Sequence, residues 1–207
     1  MATSCRATEV VDLRLPCGRR IRVRRRPGRG ATIVLLHGML DSSEGWGGIA
    51  QATERPTVAF DLPGFGGSDL PTRPRLSAFA EDIATAMCQM DLRDVTLVGH
   101  SLGGAVATAV AKLVSDRLAS LVLLAPAGFG RIALAETLSV PGIRALAAAG
   151  RSKQGFHSRC VNFHGPVAAL WGQADRVVPA AHTTGLERAF PQRMAGHGTP
   201  SAARADS

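Results

Sequence analysis

Two short runs, Ile33-Val34-Leu35-Leu36 and Thr57-Val58-Ala59-Phe60, are apolar almost without interruption and do not alternate. A run of that length suits a strand covered on both faces, because an alternating pattern would leave one face for water. Between them, residues 43–53 read as a short helical segment. Farther on, Leu76, Phe79, Ala80, Ile83, Met87 and Met90 recur at helical spacing and give an amphipathic helix with one buried stripe. Residues 95–98, 121–124 and 167–171 read as further strands, and residues 102–114 and 180–190 as further helices. Strands alternating with helices imply right-handed crossovers, hence an α/β fold with a mainly parallel sheet and helices on both faces. At the start, residues 10–15 and 21–25 alternate about Pro16-Cys17-Gly18, which predicts an antiparallel N-terminal edge hairpin.

The length of 207 residues suits a single domain over 1–207. Within it, residues 128–165 are expected to form a short cap-like insertion that leaves the site open, and residues 198–207, small and polar, a frayed tail. No apolar stretch approaches the ~18 residues a membrane span needs. Residues 1–17 carry no basic segment followed by an apolar core, so the expected compartment is the cytoplasm. Cys5, Cys17, Cys88 and Cys160 stand far apart without a CxxC pair, which gives no reason to expect a zinc site or a disulfide framework. The net charge of +8 suggests nucleic acid until it is located. Seven arginines (19, 20, 22, 24, 25, 26 and 29) account for all but one of those charges. No aromatic residue interleaves with them as single-strand stacking would want, so they are read as one solvated hairpin and no nucleic-acid partner is expected.

The sharpest chemical signal is Gly99-His100-Ser101-Leu102-Gly103. This G-x-S-x-G spacing arises by chance about 0.2 times in a chain so rich in glycine and serine, and by itself it is weak. Its position, between an apolar strand and a helix of small residues, is what makes it informative. A sharp strand-to-helix turn lifts the central side chain out at the carboxyl edge of a sheet, beside the unpaired N–H groups of a helix N-terminus.

With that placement the chain resembles the α/β-hydrolase superfamily, and within it the serine esterase and lipase branch. Leu36-His37-Gly38-Met39 matches the oxyanion loop, Asp61-Leu62-Pro63-Gly64-Phe65-Gly66-Gly67-Ser68 a structural loop, residues 99–103 the nucleophile elbow, and Leu170-Trp171-Gly172-Gln173-Ala174-Asp175 the strand and turn that carry the acid. The resemblance implies Ser101 as nucleophile, the backbone N–H groups of Met39 and Leu102 as the oxyanion hole, and Asp175 as the acid. Ala195-Gly196-His197 matches the family's Gly-His signature, which makes His197 the base. His37 is then an oxyanion-loop residue, His100 faces the other side of the sheet, and His182 lies on a helix surface. Where relatives have a last strand before the histidine, only residues 191–195 remain, so that strand is expected to be missing.

The function so implied is a serine hydrolase that cleaves carboxylic esters through an acyl-enzyme, acting on a small-molecule ester without metal or organic cofactor. The alternatives are a carbon–carbon bond hydrolase of the same superfamily and a non-catalytic hydrolase-like binding protein.

Overall fold

The computed structural model describes residues 7–129, 163–172, 175, 178 and 182–190, together with the backbone of residues 194–198. Eight strands form one sheet: β1 (Glu9–Arg14), β2 (Arg20–Arg26), β3 (Ile33–Leu36), β4 (Thr57–Phe60), β5 (Val95–His100), β6 (Leu118–Leu124), β7 (Val167–Leu170) and β8 (Met194–Gly198). Their order is β1-β2-β4-β3-β5-β6-β7-β8. All pairings from β4 to β8 are parallel, and β2 runs antiparallel to both β1 and β4. The sheet is therefore mixed and mostly parallel, with the expected antiparallel N-terminal edge.

Both apolar runs became strands at their expected bounds, and each is covered twice. Val34 and Leu36 of β3 belong to a large core with Val58 and Phe60 of β4, Phe79, Ile83 and Met87 of α2 (Leu76–Gln89), and Val106 and Val110 of α3 (Leu102–Leu113). Leu35 and Ala59 point the other way and pack on Trp46. That indole ends a 3₁₀ turn, Ser43–Trp46, which runs into α1 (Gly47–Ala52). The last helix among the described residues, α4 (Thr183–Ala189), returns to the large core through Leu186 and Ala189.

The arginine run is mostly neutralised in place. Arg22 pairs with Asp12 and Arg25 with Glu9 across the hairpin, Arg20 pairs with Asp69, and Arg24 with Glu44. Arg19 grips Asp82 of α2 with two donors, its Nε lying 3.0 Å from Oδ2 and its Nη2 bonding Oδ1. Asp82 is buried, so this pair fastens the hairpin to the helix layer. Five of the seven arginines thus hold carboxylates of their own fold.

Three expectations fail at the C-terminal end. The last strand is present: residues 194–198 form β8 against β7, with Ala169 opposite His197 and Leu170 opposite Gly198. The helix expected over 180–190 is assigned as Thr183–Ala189. Its seven residues rise only about 10 Å, so the chain has less distance to recover before it can pair with β7. His182, expected on a helix surface, is buried at the start of that helix. The cap-like insertion lies outside the described residues except for its ends, where Phe129 and Phe163 are both buried in the core. The tail beyond Gly198 also lies outside them. Among the described residues no helix is long and apolar enough to cross a membrane.

Candidate active site

One residue separates β5 from α3, and that residue is Ser101. Its backbone sits at φ 50° and ψ −114°, a conformation that side-chain-bearing residues rarely adopt and that stores roughly 1–3 kcal/mol of strain. The surroundings hold it there. Ser101 N–H donates to Leu124 O at 2.9 Å, while Ser101 O accepts from Gly104 N–H at 3.0 Å, Ala105 N–H at 3.2 Å and Ala127 N–H at 2.9 Å. Beside it, Ala125 adopts φ 41° and donates its N–H to Leu170 O at 2.8 Å. The Ala125-Pro126-Ala127 hook therefore ties the elbow of β5 to the ends of β6 and β7. A Pro after a strand marks such a turn in the sequence, but only the fold supplies the partner carbonyls.

The glycines flanking Ser101 are required by close approach. A Cβ on Gly99 would lie 2.7 Å from the Gly103 carbonyl carbon and 2.8 Å from Gly104 Cα, and one on Gly103 would lie 2.5 Å from His37 O and nearer still to Leu36 O. The start of α3 is thus pressed onto the end of β3, which brings the loop after β3 to Ser101. A Cβ on Gly38 would stand 3.5 Å from Ser101 Cβ and 2.9 Å from His100 Nδ1. His100, exposed and opposite Gly99 in the alternation of β5, therefore has its ring against the loop after β3, rather than turned to the other side of the sheet as expected. Met39 is half-buried against the core, and Leu40 follows at φ 61° with its side chain 76% exposed, turning the loop outward. Leu102 and Gly103 begin α3 ahead of its first bonded N–H groups, those of Gly104 and Ala105, so their own point out of the helix end.

Two buried titratable groups brace this loop. His37 is fully buried: its Nε2 accepts from Leu62 N–H at 2.9 Å and its Nδ1 lies 2.6 Å from Gly38 O. Burial holds its pKa below the ordinary histidine value. Burial alone would push the Asp61 carboxyl up, but hydrogen bonds from Ser43 N–H and Gly67 N–H, both at 2.7 Å, more than offset it and hold Asp61 below the usual carboxylate value. Asp61 thereby ties its own loop, through Gly67, to the turn that begins at Ser43.

The acid and base expected from the sequence sit at the same carboxyl edge. Asp175 follows β7 by five residues, with its Oδ1 accepting Val178 N–H at 2.9 Å. His197 lies within β8, in the row that runs through Ala169, Leu123 and Gly99. Three strand spacings, roughly 14 Å, separate β8 from the strand that carries Ser101. Ser101, Leu102, Gly38 and Met39 are thus brought together, while Asp175 lies beyond the end of β7 and the backbone of His197 on β8, two and three strands away from β5. Among the described residues no group of histidines, cysteines and carboxylates could hold a metal ion.

A family model described as the alpha/beta hydrolase fold matches residues 31–142, more than half of the 207 residues. The chain belongs to that family. Over 107 residues it is 40% identical to the dihydrolipoyllysine-residue acetyltransferase component of an acetoin cleaving system from Pseudomonas putida, a match covering 50% of this chain and 29% of that protein. The chain spans about 30% of the length of the curated relatives it matches. Among solved structures, an esterase from Exiguobacterium antarcticum superposes with a TM-score of 0.73 at 19% identity, over 92% of this chain and 90% of that one. A meta-cleavage product hydrolase superposes with a TM-score of 0.72 at 18% identity, over 91% and 89%. These two likenesses are likenesses of fold.

Proposed function

We propose that the chain is a serine hydrolase of carboxylic esters that works through an acyl-enzyme. The observation that carries this reading is the strained Ser101 backbone at the strand-to-helix elbow, with the Gly38 loop seated against its side chain. A hydroxyl is a poor nucleophile until a base takes its proton, and a tetrahedral oxyanion needs fixed donors where its charge develops. Ser101 Oγ attacks the ester carbonyl, the N–H groups of Met39 and Leu102 hold the oxyanion, and the alcohol leaves with the proton taken from Ser101. Water then releases the acid by the reverse sequence. His197 is the proposed proton carrier and Asp175 the group that fixes its tautomer. The adjacency of β7 and β8 supports that pairing.

The test is fluorophosphonate labelling together with turnover of short p-nitrophenyl esters. Ser101→Ala should abolish both, with a loss on the order of 10⁴-fold or more in kcat and an unchanged fold. His197→Ala should abolish labelling. Turnover that survives in purified Ser101→Ala refutes the nucleophile, and labelling that survives in His197→Ala reassigns the base.

A further inference from the structure

Leu40 is the most exposed large apolar side chain among the described residues, at 76%, and its backbone stands in the left-handed region at φ 61°. Both features are unfavourable, since a leucine is strained where glycine or asparagine is at ease, and its side chain gains nothing from contact with water. Ser101 and Ala125, also at positive φ, are held there by bonds of their own main chain. Leu40 has no such return: neither its N–H nor its carbonyl bonds another backbone group among the described residues. It is nonetheless fixed from both sides. Gly38 is seated against Ser101 and the His100 ring. Beyond Leu40, Ser42 N–H donates to Asp41 Oδ1 at 2.7 Å, and Ser42 Oγ accepts Glu44 N–H at 3.3 Å to cap the 3₁₀ turn. Met39 packs inward on the core, so Leu40 is the apolar group that this loop projects outward. Two Cα steps from Gly38 place its Cα at most about 13 Å from Ser101 Cβ, a gap that the leucine side chain and an alkyl chain of about six carbons span together.

We propose that Leu40 is a specificity-determining residue, the apolar wall against which an unbranched alkyl chain of the ester lies while Ser101 attacks its carbonyl. The inference rests on the hydrolase reading and adds a substrate class to it, esters that carry such a chain on the acyl or the alcohol side. Burial against a bound chain is what a strained, exposed leucine lacks in the free protein. A fixed wall also loses little freedom when the chain arrives, so the contact favours binding with little ordering cost.

The test compares the parent with Leu40→Asn, which keeps a residue suited to the left-handed backbone and removes the apolar wall. kcat/KM is measured along two series, p-nitrophenyl acetate to hexanoate and ethyl to hexyl acetate. Each methylene that lies against the wall favours the longer ester by about fourfold. In Leu40→Asn the preference for the six-carbon over the two-carbon member should fall by about tenfold in one series, and that series tells whether the acyl or the alcohol chain meets Leu40. A change of less than about threefold in both series would overturn the assignment. The variant should melt level with the parent or above it, because asparagine relieves the strain. A melting temperature several degrees lower would show that Leu40 packs within the fold instead, and would overturn the assignment too. If the parent shows no Ser101-dependent turnover, the hydrolase reading fails, and Leu40 is then judged without activity by the ¹³C methyl spectrum of the parent titrated with hexanoate and with 1-hexanol. A saturable shift of the Leu40 methyls with either, absent with acetate and ethanol, supports the wall, and no shift overturns it.

Discussion

Gly103 and Gly48 are each the second residue of a helix, α3 and α1 respectively, yet their surroundings are opposite. A Cβ on Gly48 meets nothing within 4 Å, whereas one on Gly103 falls 2.5 Å from His37 O. Carbon and carbonyl oxygen rarely approach closer than about 3.3 Å, so Gly103→Ala must separate α3 from the end of β3 by at least about 0.8 Å, and by more at Leu36 O, which lies nearer still. Neither wall is a flexible side chain, and overpacking of this kind costs about 1–3 kcal/mol. The gain in helix preference, at most ~1 kcal/mol, is common to both sites and cancels in the comparison. For a chain of this size 1 kcal/mol shifts the melting temperature by about 2–4 °C. Gly103→Ala is therefore expected to melt several degrees below the parent and Gly48→Ala level with it or slightly above, read by circular dichroism or calorimetry. The displacement also moves Leu102 N–H relative to the Met39 loop, so kcat on a short ester should fall by about 10²-fold in the first variant only. Two alanine variants that shift the melting temperature in the same direction by the same amount would refute the packing argument.

Other perturbations follow from the same geometry. Ser101→Gly should melt about 2–6 °C above Ser101→Ala, because glycine relieves a positive φ that alanine must still bear, and equal melting temperatures would mean that the elbow is not strained. Arg19→Met should destabilise by about 2–3 kcal/mol in urea unfolding by leaving the Asp82 carboxylate buried without its partner; adding Asp82→Asn should restore most of the loss, and a double variant no better than the single would refute the pairing. His37 is held neutral by burial in the folded state, while in the unfolded chain it gains a proton below pH 6.5. The unfolded state then binds more protons, so stability should be complete above pH 6.5 and fall by up to about 1.4 kcal/mol per pH unit beneath it, until the folded histidine also protonates. His37→Asn should remove that slope between pH 5 and 6.5, and an unchanged slope would assign it elsewhere.

What the sequence disclosed and what it withheld divide along physical lines. β3 and β4 were legible because a strand buried on both faces needs continuous apolar residues and little else does at that length. The elbow was legible because close approach of helix and strand admits only glycine on either side of the serine. β8 was not, since Met194-Ala-Gly-His-Gly has no apolar pattern of its own and its strand character comes from β7, which offers its edge. The two bonds of His37 were hidden for a related reason: one partner is its immediate neighbour and the other is the backbone of Leu62, and a backbone donor leaves no mark on residue type. The Arg19–Asp82 pair joins residues 63 apart, and no local pattern links them.

The hook at Ala125–Ala127 braces the elbow through the main chain alone. The Ser101 carbonyl is met by Ala127 N–H and the Leu170 carbonyl by Ala125 N–H, and Ser101 N–H is met by Leu124 O. None of these bonds uses a side chain, so any substitution that keeps the backbone path keeps all three. The placement of Ser101 is in this sense written in the course of the chain, and the side chains about it can change in size and polarity without unfastening it.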